Sequence, residues 1–283
     1  MAKINFWKMQ ALGNDYIVLK DWRQRLGDYS ALSKVLCKRR VSVGADGMIV
    51  LCKPSKIQAD VKMRIFNADG SEAEMCGNGI RCLAKYAYEN SIVNKRDIDV
   101  ETLAGLRKVR LKVNRGFVES VSVDMGEPVF NRKAIPMEGE GEFIGQTLTV
   151  NGKLIQASCL SIGNPHCVVF VEDVEKAPVE ELGPAIETHP YFPKRVNVEF
   201  VKVMDRKVLS VRVWERGCGE TMACGTGACA AATVAHRLGK VEDEVVVRLR
   251  GGDLKVKLNG RIRLEGPVVK VYEGKISSEV RLR

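Results

Sequence analysis

Two copies of one short pattern, a cysteine followed by Gly-x-Gly ahead of a helix, constrain this chain more than any other feature. The later copy lies in residues 215–239, ERGCGETMACGTGACAAATVAHRLG, where Cys224 precedes a run of small residues over 228–235. That run is nearly all Ala, Cys, Thr and Val, so it predicts a helix with no broad polar face, buried on every side. Gly239 stops it, with His236 and Arg237 in the last turn, where the dipole favours cations. A thiol therefore sits at or just before a helix N-terminus, among unpaired N–H groups and partial positive charge. Gly225 and Gly227 allow close approach of a ligand to the backbone. Such a place is expected to hold an anion and to favour thiolate over thiol.

The earlier copy surrounds Cys76, in VKMRIFNADGSEAEMCGNGIRCLAKYAYEN. Cys76 and Cys224 are 148 residues apart, and the two stretches align without a gap. Phe66 falls on Trp214, Glu72 on Glu220, Gly77 on Gly225, Asn78 on Thr226 and Gly79 on Gly227. An alternating strand, a polar loop, the cysteine turn and a helix occur in that order in both. A second echo lies upstream: 11–18, ALGNDYIV, matches 161–168, SIGNPHCV, at an offset of 150. Two echoes at nearly one offset predict a duplicated unit, two similar lobes that each supply a Gly-Asn loop and a cysteine at a helix start.

A chain of 283 residues can bury a full core and is expected to form two domains. The lobes are read as 1–122 plus 269–283, carrying Cys76, and 123–268, carrying Cys224. Nine cysteines, an odd number with no export signal ahead of them, point to reduced thiols and a cytoplasmic setting. No window approaches the roughly 20 apolar residues of a membrane helix, so no membrane partner is expected. The net charge of +10 raises a nucleic-acid reading. The basic residues alternate along strands, however, as at Arg107, Lys108, Arg110 and Lys112, with no aromatic platform or basic helix, so no nucleic-acid partner is expected either.

In chain order, strands are predicted at 4–9 and 16–19 and a helix over 28–40 with Asp28 or Ser30 as its cap. A turn at 44–47 leads to a buried strand at 48–51, and 61–67 enters the first cysteine loop. In the helix after Cys76, Ile80, Leu83, Ala84 and Ala87 give an apolar face, Arg81, Lys85 and Glu89 a polar stripe, and Asn90 a stop. Strands follow at 98–101, 106–113 and 117–123. The passage into the second lobe falls near 124–128. Asn151-Gly152 joins 147–150 to 153–160 as a hairpin. Strands at 167–171, 197–203 and 208–214, a short helix within 172–191, a meander over 245–264 and a last strand at 268–272 complete the chain. The fold class is α+β: two lobes related by a pseudo-two-fold, each a mostly antiparallel sheet curled round a central buried helix.

Matched thiols in matched lobes suggest one nearly symmetric site in the cleft between them. Inversion of a stereocentre needs this: one group takes the α-proton from one face and another returns a proton to the opposite face. One thiolate and one thiol form a coupled pair. With no electron-sink cofactor, the protein must stabilise charge building on the carboxylate beside that carbon, and helix N-termini are suited to it. A single buried cysteine in a small-residue helix would suggest packing alone; duplication together with Gly-x-Gly favours function.

The sequence resembles the diaminopimelate epimerases, of the cofactor-independent amino-acid racemases. The carriers are Ala11–Asp15 (ALGND), Val43-Gly-Ala-Asp-Gly47, Phe66-Asn-Ala-Asp-Gly-Ser71, Met75-Cys-Gly-Asn-Gly79 with Arg81-Cys82, Gly163-Asn-Pro-His166, Arg195-Val-Asn197, Glu215-Arg-Gly-x-Gly-Glu-Thr221 and Ala223-Cys-Gly-Thr-Gly227. The resemblance implies a two-base epimerase interconverting LL- and meso-diaminopimelate on the way to lysine. It implies Cys76 and Cys224 as the bases, His166 and Glu215 tuning them, and neither pyridoxal phosphate nor metal. It also implies substrate contacts from Asn14, Asn67, Gly77, Asn78, Asn164, Asn197, Glu215, Arg216, Gly225 and Thr226. An amino diacid needs a cation for its far carboxylate, which Arg216 supplies as a fork, and acceptors for its ammonium, which Glu215 and the asparagines supply. At position 47, where the family often has Gln, this chain has Gly, which removes a side-chain donor unless backbone or water replaces it. A homodimer is left open. The rival readings are a proline or hydroxyproline racemase or another amino-acid racemase of the same superfamily, a non-catalytic amino-acid binder, and a redox-sensing thiol protein. Cys218, six residues before Cys224, suggests a disulfide with it under oxidation.

Overall fold

The structure, a computed structural model, describes residues 4–277 and 280. The outermost residues of the expected first lobe (1–3, 278–279 and 281–283) lie outside the described residues. The chain divides into two compact units, one running to Asp124 and resuming at Glu265, the other spanning Met125–Leu264.

The first unit begins with β1 (Ile4–Ala11), β2 (Asn14–Lys20), α1 (Tyr29–Leu36) and β3 (Gly47–Cys52). It continues with β4 (Val61–Asn67), β5 (Glu72–Ala73), α2 (Gly77–Glu89), β6 (Asp97–Thr102), β7 (Gly105–Asn114) and β8 (Phe117–Gly126). The second carries β9 (Gln146–Val150), β10 (Lys153–Ser161), β11 (Pro165–Phe170), α3 (Val179–Glu187), β12 (Asn197–Asp205) and β13 (Val208–Glu215). Then come β14 (Gly219–Thr221), α4 (Gly225–Arg237), β15 (Glu244–Leu249), β16 (Gly252–Lys257) and β17 (Ile262–Pro267). The last strand, β18 (Val269–Ile276), pairs antiparallel with β1 and so belongs to the first unit.

The fold is sheet-dominated α+β. Most strand pairs are antiparallel, and the parallel ones recur at matched places. β2 runs parallel to β3 with Tyr16 opposite Gly47, and β11 runs parallel to β12 with His166 opposite Asn197. Similarly β4 is parallel to β6 and β13 to β15. Each unit closes its sheet over a long helix. α2 packs on β1–β4 and β7, and α4 on β10–β13, β15 and β16. α4 is buried from Ala228 to Ala235, as expected for a helix apolar all round.

Two local expectations change. The helix predicted over 28–40 ends at Leu36, although Asp28 caps it by accepting from the Ala31 amide at 3.1 Å. Arg40 takes a positive φ of 71°, and the Leu36 carbonyl accepts from Gly44 at 2.9 Å, so the chain turns back before another helical turn forms. The stripe of Arg81 and Lys85 on α2 is buried rather than solvated. Arg81 is fully enclosed and donates to the Gly77 carbonyl (3.1 Å) and to Asn78 Oδ1 (2.9 Å). Lys85 Nζ reaches Glu89 Oε1 and the Val118 carbonyl, each at 2.7 Å. Long cationic side chains are tolerated inside because every one of these charges meets a partner. Among the described residues, no helix is long and apolar enough to cross a membrane.

Candidate active site

Both cysteines are N-cap residues. Cys76 and Cys224 have extended backbones (φ −143° and −118°), and each sulfur accepts from the amide three residues on, Gly79 or Gly227, at 3.4 Å. A thiol thus stands where Ser or Asp commonly caps a helix, in the field of the first-turn N–H groups. Gly77 and Asn78, and Gly225 and Thr226, form those first turns.

The cysteine loops are held by matched ion pairs. On β4, Arg64 forks onto Glu72 with both bonds at 2.7 Å. On β13, Arg212 forks onto Glu220 at 2.7 and 3.0 Å. These pairs join the long strand to the short strand that comes just before each cysteine. The alignment that places Glu72 on Glu220 also places Arg64 on Arg212, so the repeat in the sequence already pairs the two clamps.

In the first unit, Tyr16 Oη lies 3.1 Å from Cys76 Sγ and donates to Asn14 Oδ1, which also accepts from Asn78 Nδ2 at 3.3 Å. Asn14 Nδ2 donates to Asp46 at 2.8 Å. Asn67, at the end of β4, is exposed and donates to Ser71 Oγ at 2.9 Å, so its side chain is not joined to this group. Gly47 lies beside Tyr16. A Cβ at 47 would stand 2.7 Å from the Phe66 carbonyl oxygen and 3.3 Å from the Tyr16 ring. Glycine at 47 is therefore a packing requirement here: the side chain expected by resemblance has no room.

The Gly-Asn loop is clamped by charge. Asp15 pairs with Lys8 at 2.7 Å and with the Arg39 fork at 2.6 and 3.1 Å, and accepts from the Asp46 amide at 2.9 Å. Burial alone would raise the Asp15 carboxyl, but the hydrogen bonds from Arg39, Lys8 and Asp46 outweigh it and lower it to about 2. A depressed carboxyl contributes stability above its ordinary value of 3.8, which is lost as pH falls through about 2. Asp15→Asn is therefore expected to be less stable than the parent at pH 7, with the gap closing between about pH 4 and pH 2. Urea unfolding at a series of pH values measures this; a gap that persists at pH 2 contradicts it.

The second unit surrounds Cys224 differently. The residue matching Tyr16 is His166, fully buried, with Nδ1 2.7 Å from Glu199 Oε1 and Nε2 2.9 Å from Asn164 Oδ1. Asn164 Nδ2 donates to Thr226 Oγ1 at 3.3 Å, and Thr226 Oγ1 lies 3.4 Å from Cys224 Sγ. Asn197 Nδ2 donates to the Pro165 carbonyl at 2.8 Å, and Asn197 Oδ1 accepts from the Arg216 amide at 3.0 Å. Glu215 accepts from Thr221 Oγ1 at 2.6 Å. The Arg216 guanidinium donates to the Lys194 carbonyl at 3.1 Å and reaches solvent. His166, Asn164, Thr226 and Cys224 thus form one chain of contacts, while Asn197 joins the Pro165 carbonyl to the Arg216 amide.

Glu199 is the residue that the sequence reading missed. It is fully buried on β12, and a Cβ on Gly227 would lie 2.8 Å from its Oε1, so the helix start and this carboxylate are in close contact. Its signal was a single acid inside an apolar strand, Val198-Glu-Phe-Val201. Tyr16, the other addition, was visible as the partner of His166 in the repeat.

One electrostatic expectation is reversed. The Cys224 thiol is pushed well above its ordinary value by burial first, then by the nearby Glu215 and Glu199 carboxylates. Hydrogen bonds from Thr226 and Gly227 oppose this and do not prevail. Cys224 is therefore a thiol at neutral pH, poised to give a proton. Burial likewise raises the Glu215 carboxyl, against the lowering contacts with Thr221 and Cys224.

A family model for diaminopimelate epimerase matches residues 6–131 and 158–278. The chain belongs to this family. Relatives named diaminopimelate epimerase include that of Moorella thermoacetica, 48% identical over 276 residues, with 96% of this chain and 98% of the relative covered. That of Methanothermobacter thermautotrophicus is 47% identical over 280 residues, again covering 96% and 98%. Among solved structures, a hydroxyproline epimerase from Agrobacterium vitis shares the fold at a TM-score of 0.73 and 17% identity, over 98% of this chain and 93% of that one. A PhzF-family phenazine biosynthesis protein from Bacillus anthracis does so at 0.70 and 18%, over 98% and 100%. Membership fits the duplicated cysteine cap, since the whole family match runs through both copies.

Proposed function

We propose that this chain is an isomerase that interconverts LL- and meso-2,6-diaminopimelate by proton transfer at Cys76 and Cys224. The observation that carries the reading is the repeated N-cap thiol, each sulfur bonded to a helix amide, in a chain of the diaminopimelate epimerase family. One sulfur, as thiolate, takes the α-proton, and the other, as thiol, delivers a proton to the opposite face of the same carbon. In the reverse direction they exchange roles. The proton taken and the proton given leave the pair with its charge moved from one sulfur to the other.

The α-proton is weakly acidic because negative charge must build on the adjacent carboxylate. Amides and side chains of the first turns, from Gly77 and Asn78 and from Gly225 and Thr226, take up that charge, the largest lever available to a site that works by proton transfer alone. Arg216 binds the far carboxylate, and Glu215, Asn14, Asn67, Asn164 and Asn197 serve the ammonium groups and hold the substrate in register. His166 and Glu215 tune Cys224. The raised Cys224 thiol supports this assignment, because an acid that is already ionised has no proton to deliver.

Chiral chromatography of the purified, reduced protein with LL-diaminopimelate, L-proline and trans-4-hydroxy-L-proline tests the substrate. The meso product from diaminopimelate and no inversion of the other two is expected. Inversion of proline or hydroxyproline with none of diaminopimelate would transfer the reading to the related racemases.

A further inference from the structure

The two thiols are not equivalent, and the difference lies in the residue beside each sulfur. We propose that the Tyr16 hydroxyl is a third proton-handling group, a rotor that donates to Cys76 when that sulfur is a thiolate and accepts from it when it is a thiol. Tyr16 is buried, and its ring is seated against Gly47, whose lack of a side chain makes the space. Its oxygen contacts both Cys76 Sγ, at 3.1 Å, and Asn14 Oδ1. A phenol has one proton to give and lone pairs to accept with.

Two arrangements follow from these contacts. When Cys76 is a thiol, S–H donates to Tyr16 Oη, and the phenol proton goes to Asn14 Oδ1. When Cys76 is a thiolate, the phenol proton turns to sulfur, and Asn14 Oδ1 keeps the donor from Asn78 Nδ2 at 3.3 Å. Neither arrangement leaves Asn14 Oδ1 without a donor, and no heavy atom has to move. Tyr16 keeps its proton throughout; burial, then the charge of Cys76, holds its ionisation well above the ordinary tyrosine value. The rotor therefore solvates the sulfur and never replaces it as the base.

In the second unit a hydroxyl also lies near the sulfur, Thr226 Oγ1 at 3.4 Å from Cys224 Sγ, but it comes from the first turn of α4 and is not a phenol from the Gly-Asn loop. At the matched position the His166 ring is turned to Glu199 and Asn164, and the carboxylates of Glu199 and Glu215 oppose a negative sulfur at Cys224. Cys224 is accordingly the sulfur of the pair that is held protonated. The role of Tyr16 rests on the two-thiol reading of the site.

The test is the pH dependence of iodoacetamide alkylation at Cys76, followed by peptide mass spectrometry without substrate, in the parent and in Tyr16→Phe. Cys218, exposed, serves as the control in the same samples. Removing a hydrogen bond to a charged group is expected to move the Cys76 midpoint up by about one pH unit and slow its alkylation near neutrality about tenfold. Cys218 stays unchanged. Replacing the tyrosines with 3-fluorotyrosine, whose hydroxyl is a stronger donor of nearly the same size, moves the midpoint down. It also keeps the test valid if the Phe variant folds poorly, which equal acceleration at all cysteines would reveal. An unmoved Cys76 profile in the fluorinated protein and in a folded Phe variant overturns the role of Tyr16, whatever the protein epimerises. A moved profile in a protein that inverts no amino acid keeps the rotor and removes the epimerase reading.

Discussion

Cys224→Ala is expected to lose epimerisation by at least about a thousandfold, within the range for removal of a general acid or base. In the proposed two-base reaction the variant keeps Cys76 as the group that takes a proton. A substrate epimer whose α-proton faces Cys76 should still exchange that proton slowly with solvent while failing to invert. The substitution removes one buried sulfur, so thermal stability should change by only about 1 kcal/mol. Stopped-assay chiral chromatography for inversion, with mass spectrometry for exchange, separates the two effects. Inversion within tenfold of the parent would mean that Cys224 is not an acid–base group.

Arg212→Met is expected to give the largest loss of stability of any single change away from the thiols. Arg212 forks onto Glu220 and also donates to the carbonyls of Val174, Glu175 and Ala177 at 3.0, 3.3 and 3.3 Å. Its side chain is 9% exposed and that of Glu220 12%. Removing one member of so enclosed a pair leaves a carboxylate with only Arg250 (2.9 Å) and three carbonyls short of a donor. The expected cost is roughly 3–5 kcal/mol, seen as a fall in Tm on the order of 10 °C. The matched change Arg64→Met should cost about half as much or less, because that pair is 29% and 25% exposed and water takes over part of the role. Differential scanning calorimetry of the two variants decides the point; equal losses would show that burial does not set the value of these clamps.

Much of the architecture was legible because it rests on local patterns that occur twice. The alternation of Val61, Met63 and Ile65 fixed β4 to its observed bounds, and Asn151-Gly152 fixed the β9–β10 turn. The cysteine caps followed from Gly-x-Gly and the small-residue helix. What local pattern could not convey was which charged residues tertiary packing would enclose. Arg81 and Lys85 fall at surface-like positions on α2, yet β8 and the first helical turn cover them. The 28–40 helix had no breaker in sequence, and its early end depends on a return of the chain to the Leu36 carbonyl. The charge on Cys224 was misjudged because the helix N-terminus is a local, readable effect, whereas Glu199 and Glu215 come near that sulfur through the sheet. At Gly47 the sequence shows only a missing side-chain donor, whereas the Phe66 carbonyl and the Tyr16 ring that exclude a side chain there come from other strands.

The proposed epimerisation uses two unlike thiols, Cys76 and Cys224, on opposite faces of one α-carbon. The most direct measurement is proton NMR of LL-diaminopimelate with the reduced enzyme in D2O, taken at the earliest conversion. Two-base inversion predicts meso product carrying deuterium at the inverted α-carbon, while the remaining LL substrate at first stays protonated there. Deuterium entering substrate and product equally from the first turnovers would show a single group serving both faces, and would rule out two-base inversion.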